Sequence, residues 1–184
     1  MVGVGVPNLV SFGVTTKLTR FFGIGANVGL IPKVKISYYG EATLSYQEVD
    51  VYGRIYPFGG SFFLGAGVGY ATVAGTFAET VNVTVSGNSA VVDVSSDGKV
   101  RSLVLTPQLG LFHTFGSGFS LGIDVGAQVP IAPSEISFEN HLPAQVPPSY
   151  AANANEQTRS TLQRIGQQVV PTLNLRVGWL LLTS

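Results

Sequence analysis

The stretch Phe119-Ser-Leu-Gly-Ile-Asp-Val-Gly-Ala-Gln-Val-Pro-Ile131 decides the fold. Phe119, Leu121, Ile123, Val125, Ala127, Val129 and Ile131 occupy every second position, and Ser120, Gly122, Asp124, Gly126, Gln128 and Pro130 fill the places between. Side chains along a strand point to opposite faces with a period of two, so this is a strand with one apolar face and one small or polar face. The same period returns near the end, where Leu173, Leu175, Val177, Trp179 and Leu181 oppose Thr172, Asn174, Arg176 and Gly178. It appears again at 48–56, where Val49, Val51, Gly53 and Ile55 oppose Glu48, Asp50, Tyr52, Arg54 and Tyr56. Segments 62–72, 103–115, 9–18 and 21–31 behave alike, with Lys17 and Asn27 on the polar side.

The polar face is unusual. Within the strands it carries Lys17, Glu48, Asp50, Arg54, Asp124 and Arg176 as its charges, and most of the 23 glycines fall on it. Charged residues make up 11% of the 184-residue chain against 45% hydrophobic. A soluble domain carries about 25% charged residues, so a water-facing surface is hard to build here. Ten basic and ten acidic residues cancel, and no basic run exists, which argues against a nucleic-acid partner. The composition points to a membrane. Yet every apolar run is broken well short of the ~20 residues a membrane helix requires. The other structure that satisfies its backbone within lipid is a closed β-barrel. A soluble barrel with the faces exchanged would put a glycine-rich face in water, so the apolar face is read as the lipid-facing one.

Turn chemistry divides short connections from long ones. Short turns fall near Thr19-Arg20, at Pro57-Phe58-Gly59-Gly60 and at Gly116-Ser117-Gly118, and long connections at about 32–41, 75–100 and 132–168. With Val2–Val6 turned at Pro7-Asn8, eight strands result, at roughly 1–6, 9–18, 21–31, 42–57, 61–75, 100–115, 119–131 and 169–182. An even count puts both termini on the side of the short turns, which in bacterial barrels is the periplasm. Aromatics mark both strand ends: Phe21, Phe22, Phe58, Phe62, Phe115, Phe119 and Trp179 near the short turns, and Tyr38, Tyr39, Tyr46 and Tyr70 near the long loops. Such girdles bound an apolar band in membrane barrels. Met1 is read as a start that replaces a removed export signal.

The alternating strands, the short turns and the closing Pro171-Thr-Leu-Asn-Leu-Arg-Val-Gly178-Trp179-Leu-Leu181 resemble the small bacterial outer-membrane barrels of the OmpA/OmpX type. The terminal strand is similar to the signal by which such barrels are recognised for insertion, though Thr183-Ser184 stands where an aromatic usually closes the chain. The resemblance covers the whole chain. It implies an outer-membrane location and insertion by a barrel assembly machinery, but no particular activity. The expected fold class is therefore all-β: an eight-stranded antiparallel up-and-down transmembrane barrel, one domain over 1–184, with a short extracellular helix in its last loop.

An eight-stranded barrel is just wide enough for its own side chains. Lys17, Arg54 and Arg176 balance Glu48, Asp50 and Asp124 three to three, and buried charges are tolerated when paired. They are read as a neutral structural plug completed by Gln108, Asn174, Asn27 and Gln128, with Asp124 opposite or near Arg176. Val81, Val83 and Val85 before Gly87-Asn88, and Val91, Val92 and Val94 after it, predict that 61–86 and 89–115 form one hairpin projecting beyond the membrane over about 76–99. A kink is expected near Ser95-Ser96-Asp97-Gly98. Pro130, Pro133, Pro143, Pro147 and Pro148 predict an irregular 130–148. A helix is predicted from about Tyr150 to Gln168, with Leu162, Ile165 and Val169 as a one-sided stripe.

Motifs for chemistry are thin. The chain has no cysteine and two histidines, so no metal site and no cofactor is expected. His113 reads as an interfacial histidine beside Phe115, and Glu139, His141 and Ser149 form a loose loop grouping. No catalytic residue is assigned. The expected function is that of a monomeric, non-enzymatic outer-membrane barrel with a plugged lumen, surrounded by outer-membrane lipids and lipopolysaccharide. Its extracellular loops would serve adhesion, contact with a protein partner or envelope integrity. The alternatives are a carrier or narrow channel for a small molecule, hydrophobic or otherwise, and a lipid-modifying enzyme.

Overall fold

The structure, a computed structural model, describes residues 1–37, 41–85, 88–116, 118–132, 134–141 and 148–179. Nine strands and one helix follow in chain order: β1 (Val2–Val6), β2 (Val10–Lys17), β3 (Phe22–Ser37), β4 (Glu41–Ile55), β5 (Phe62–Val85), β6 (Asn88–Thr114), β7 (Phe119–Pro130), β8 (Glu135–His141), α1 (Pro148–Gly166) and β9 (Val170–Trp179). Eight of the strands close on themselves. Each pairs antiparallel with its sequence neighbour from β1 to β7; then β7 pairs with β9, and β9 returns to β1. Closure pairs the wall's backbone groups strand to strand and leaves no sheet edge around the ring.

Alternation in the sequence becomes alternation of the wall. Along β9, Thr172, Asn174 and Arg176 are buried and Leu173, Leu175 and Val177 exposed. Phe119–Ile131 places Ser120, Asp124 and Gln128 inside and Leu121, Ile123 and Val125 outside. The glycines make this possible. Tyr52 stands between Gly25 on β3 and Gly67 on β5, and Arg54 between Gly23 and Gly65. A methyl group on Gly25 would lie 2.5 Å from the Tyr52 ring, and one on Gly122 would lie 2.9 Å from Phe112. Tyr52, Arg54 and Phe112 therefore lie over neighbours with no side chain, which lets a narrow barrel hold arginine and large rings.

At the short-turn end, left-handed Gly59 (φ 63°) and Gly118 (φ 82°) make the tight reversals. Phe58 and Phe62, Phe115 and Phe119, and Phe119 and Trp179 pair with ring centroids 6.1, 5.7 and 5.4 Å apart, an outward aromatic girdle. At the other end Tyr70 faces outward, but Tyr46 is buried in the lumen against Ala71 and Val104, which removes it from the predicted girdle. Its position on β4 has the parity of Glu48 and Arg54, and parity overrides proximity to the loop. Tyr38 and Tyr39 lie outside the described residues.

The long-loop end is more regular than the sequence suggested. β3 runs on to Ser37 and β4 begins at Glu41, so most of the predicted 32–41 connection is strand; a register shift between Ile31 and Val34 absorbs Pro32. β5 and β6 pair in one unbroken register from Phe62–Leu111 to Val85–Asn88, so no kink forms at Ser95–Gly98. Asn88 pairs with Val85 rather than forming the turn, and residues 86 and 87 lie outside the description.

Segment 130–148 is not irregular throughout. β8 forms between Pro133 and Pro143 and pairs with β6 from Arg101–Glu135 to Ser95–His141. It continues the edge that β7 leaves at Val104–Pro130, displaced by two residues. The prolines bracket the strand, since proline interrupts a ladder only where its missing N–H is needed. The helix spans 148–166 instead of 150–168. Leu162 touches Gly98 and Gly166 abuts Val100, so α1 packs on the inward face of the β6–β8 extension, above the barrel mouth. Ser102 and Ser134 both donate to the Gly166 carbonyl, at 3.0 Å each, and cap the helix end. Ile165 and Val169 remain exposed, so Leu162 is the anchored member of the predicted stripe.

Candidate functional site

The lumen is filled in layers. At the short-turn end Tyr56, Phe63 and Phe112 form a buried aromatic layer with Met1 packed against it. Lys17 sits at this level with its ammonium 4.1 Å from the centre of the Tyr56 ring, and among the described residues no carboxylate lies within ion-pair distance of it. The three-to-three plug thus loses one member, because Lys17 ends its strand too low to reach the carboxylates.

Above lies the ionic layer. Asp124 accepts from Arg176 Nε at 2.8 Å and from Asn174 Nδ2 at 2.8 Å, with an Arg54 nitrogen at 3.6 Å. Antiparallel pairing sets Asn174 directly opposite Asp124 and Arg176 one diagonal step away. Arg54 is fully buried, its guanidinium 4.1 Å from the Phe63 ring centre and 4.5 Å from that of Tyr52. Ring faces replace some of the water a buried cation loses.

The third layer faces the mouth. Glu48 accepts from Gln128 Nε2 at 2.6 Å and from Asn8 Nδ2; Tyr46 donates to Gln128 Oε1 at 2.7 Å. Asp50 accepts from Asn27 Nδ2 at 3.3 Å. Gln108 is buried on the wall of a cavity of about 20 Å³ shared with Asn8, Glu48, Asp50, Thr106 and Thr172. Sequence reasoning missed Asn8 and Tyr46. Asn8 reads as a turn residue after proline, and only the shortness of β1 and β2 lets that turn dip to the level of Glu48.

Two further features lie on the outside. A depression of about 770 Å³ in the apolar wall is lined by Val14, Ile24, Val51, Val68 and Leu105, and opens where Ala26, Gly53 and Ala66 leave the surface low. Beyond the wall, a polar groove of about 350 Å³ runs between Lys33, Thr43 and Ser45 on one side and Asp97, Lys99, Ser137 and Glu139 on the other. Beside it Thr76 donates to Asp97 at 2.6 Å, and His141 Nε2 lies 3.3 Å from the other carboxylate oxygen. The hydroxyl bond, with His141 beside it, holds the Asp97 carboxyl below its ordinary value. His141 is thus committed to Asp97. Of the predicted loop grouping, Glu139 faces the groove and the Ser149 side chain lies outside the description. His113 pairs with Ser61 at 2.9 Å and stands edge-on to Phe115 at 4.7 Å, at the short-turn end.

Among the described residues no helix is long and apolar enough to cross a membrane. A closed eight-stranded antiparallel cylinder, apolar outside and polar inside, is the fold of the small outer-membrane β-barrels. Two solved structures share it over nearly their whole length. CarO2 of Acinetobacter baumannii matches with a TM-score of 0.60 at 12% identity, covering 97% of this chain and 96% of that one. CarO of Acinetobacter baumannii matches with a TM-score of 0.52 at 13% identity, covering 97% and 95%. At these identities the likeness is one of fold. No protein-family model and no curated protein sequence matches the chain.

Proposed function

We propose that this protein is a monomeric, non-conducting, non-enzymatic barrel of the bacterial outer membrane, with both termini in the periplasm. It acts through the extracellular rim formed by the β5–β6 hairpin, β8 and α1, in adhesion, partner contact or envelope integrity. One observation carries this reading: Arg54, Tyr56, Phe63, Phe112 and Asp124 are all at most 2% exposed in a lumen that would otherwise be the path for solutes. The rim, by contrast, carries the polar groove between Lys33, Thr43 and Ser45 and Asp97, Lys99 and Glu139. Its outward groove would meet the head groups of lipopolysaccharide. Planar-bilayer recording of the purified protein tests the reading; steady open-channel current would overturn it.

A second reading, a carrier for a small hydrophobic molecule, has the depression on the outer wall in its favour, since Gly53 and Ala66 hollow a surface that is otherwise convex. Deleting the rim segment 142–166 separates the two. A rim function is lost with it, and a wall function survives.

A further inference from the structure

Above the membrane wall, one strand edge stands without a neighbour. β8 ends the strand order: it pairs with β6 on one side and, among the described residues, with no strand on the other. The direction of its backbone groups follows from the bonds around β6. The Phe112 N–H reaches the Ser61 carbonyl on the β5 side at 2.7 Å, and the Leu103 carbonyl accepts from Ile131 on the β7 side at 3.0 Å. Backbone groups alternate sides along a strand, so even-numbered residues of β6 turn to β5 and odd-numbered ones to β7 and β8. The register sets odd residues of β8 opposite odd residues of β6. Ile136, Phe138 and Asn140 therefore point their N–H and C=O groups out of the sheet edge, and among the described residues no backbone group bonds to them. Helix α1 lies on the inward face and bonds to Asn140 through the Asn155 side chain. β9, the next strand round the ring, begins at Val170 opposite Gln128, below the level of β8. The seat beside β8 is open.

We propose that this seat takes an extended segment of a partner protein, added as the next strand antiparallel to β8, with basic side chains at alternate positions. The inference rests on the rim being the working surface of the barrel. Strand addition draws affinity from main-chain bonds and specificity from alternate side chains, and antiparallel pairing is the more stable per residue. On its outward face the new strand meets Glu135, Ser137, Glu139 and His141. Cross-strand neighbours stand about 5 Å apart, whereas Lys99 and Arg101 lie one strand farther away. Glu135 and Glu139 are thus the nearest charges. Glu139 faces a second carboxylate, Asp97, in the register, and among the described residues no cation lies within ion-pair distance of it. On its inward face the strand meets half-buried Ile136 and Phe138, so apolar residues belong between the basic ones. The other open edge of this extension, β3 beyond Leu30, carries Pro32, Lys33 and Lys35, and proline and lysine are residues that keep edges from adding strands. From Glu135 to His141 β8 has neither.

The test is fluorescence anisotropy of a labelled seven-residue peptide of alternating lysine and valine, titrated with the detergent-folded barrel. A second peptide carries the same charges but is N-methylated at each valine, which removes the donors that face β8. Its binding is weaker by at least about tenfold, since three main-chain bonds are lost. Phe138→Pro removes one edge-facing donor and leaves the β6 side intact, because proline is tolerated where its missing N–H faces solvent. Peptide binding falls while heat-modifiable gel migration stays unchanged. Glu139→Lys weakens binding of the lysine peptide and strengthens that of a glutamate–valine counterpart. Equal affinity for the N-methylated peptide would overturn the seat, reducing the binding to charge alone. So would full affinity in Phe138→Pro, and where that variant does not fold the two peptides on the wild type decide. A dimer in detergent that Phe138→Pro dissolves would also overturn it, giving the edge to a second copy of this chain. Open-channel current in bilayers would sink the rim reading and leave the peptide result standing, whereas absent peptide binding sinks the seat alone.

Discussion

Arg176 donates from Nε to Oδ2 of Asp124 across 2.8 Å, although Gly122, not Asp124, is its partner in the strand ladder. The diagonal reach is possible because Gly122 offers no side chain, and it leaves the directly opposite position to Asn174, which binds the other carboxylate oxygen. One aspartate thus orients two neighbours on β9 and faces Arg54 from the opposite wall. The whole ionic layer depends on it.

Asp124→Asn keeps the volume and removes the charge. Two buried guanidinium groups then lack their counter-ion, a loss of about 3–5 kcal/mol when one partner of a buried pair is taken away. The urea midpoint of the refolded barrel falls accordingly. An unchanged midpoint would mean that the ring faces of Tyr52 and Phe63 hold Arg54 without Asp124.

Trp179 is the sole tryptophan of the chain, stacked edge-on with Phe119 at 5.4 Å and two-thirds exposed on the outer wall. Its fluorescence in vesicles is quenched more strongly by lipids brominated near the head group than by lipids brominated near the chain end, because the girdle lies at the interface. Phe119→Ala removes an aromatic pair worth about 0.5–1.5 kcal/mol and shifts the emission toward that of water-exposed indole.

Val125 and Leu109 are opposite one another on the outer wall, far from both rims. Val125→Arg places a charge against acyl chains and costs about 2–4 kcal/mol near the bilayer midplane. Leu121→Arg, nearer the girdle, costs less. Equal costs for the two, read from urea titrations in vesicles, would place the membrane elsewhere on the wall.

The Thr76 hydroxyl, and after it His141, holds the Asp97 carboxyl below its ordinary 3.8. A carboxyl depressed in the folded state contributes stability that is present above the unfolded value and is lost as pH falls through the folded one. The β6–β8 pairing therefore loosens below about pH 4, seen as faster amide exchange at 135–141 in acid. Thr76→Val raises the carboxyl toward 3.8, measured by side-chain NMR titration, and shrinks the acid loosening, because a carboxyl with equal folded and unfolded values adds no pH-dependent stability.

Helix α1 touches the barrel through Leu162 and the Gly166 cap, and most of its described side chains are exposed. Proteolysis within 152–165 leaves the heat-modifiable barrel intact, whereas Leu162→Ala combined with Ser102→Ala speeds cleavage there. A barrel that unfolds on cleavage would show that α1 supports the wall.

Local alternation was enough to read the barrel: Phe119–Ile131 and Leu173–Trp179 specify by parity alone which side chains meet lipid, and the glycines opposite Tyr52 and Arg54 mark the enclosed face. Aromatics at strand ends and glycines at the turns placed the short-turn rim. Parity says nothing of height or of partner. Lys17 and Asp124 share a face but lie in different layers, because strand stagger sets how high each residue sits. Asn8 meets Glu48, 40 positions further along the chain, only after the ring closes. β8 needed the edge of β6 to become a strand at all, since seven residues between prolines carry too little pattern of their own. Period-two patterning is a property of each strand; contact is a property of the closed wall, and only the closed wall brings Asn8, Asp50, Thr106 and Thr172 around one void.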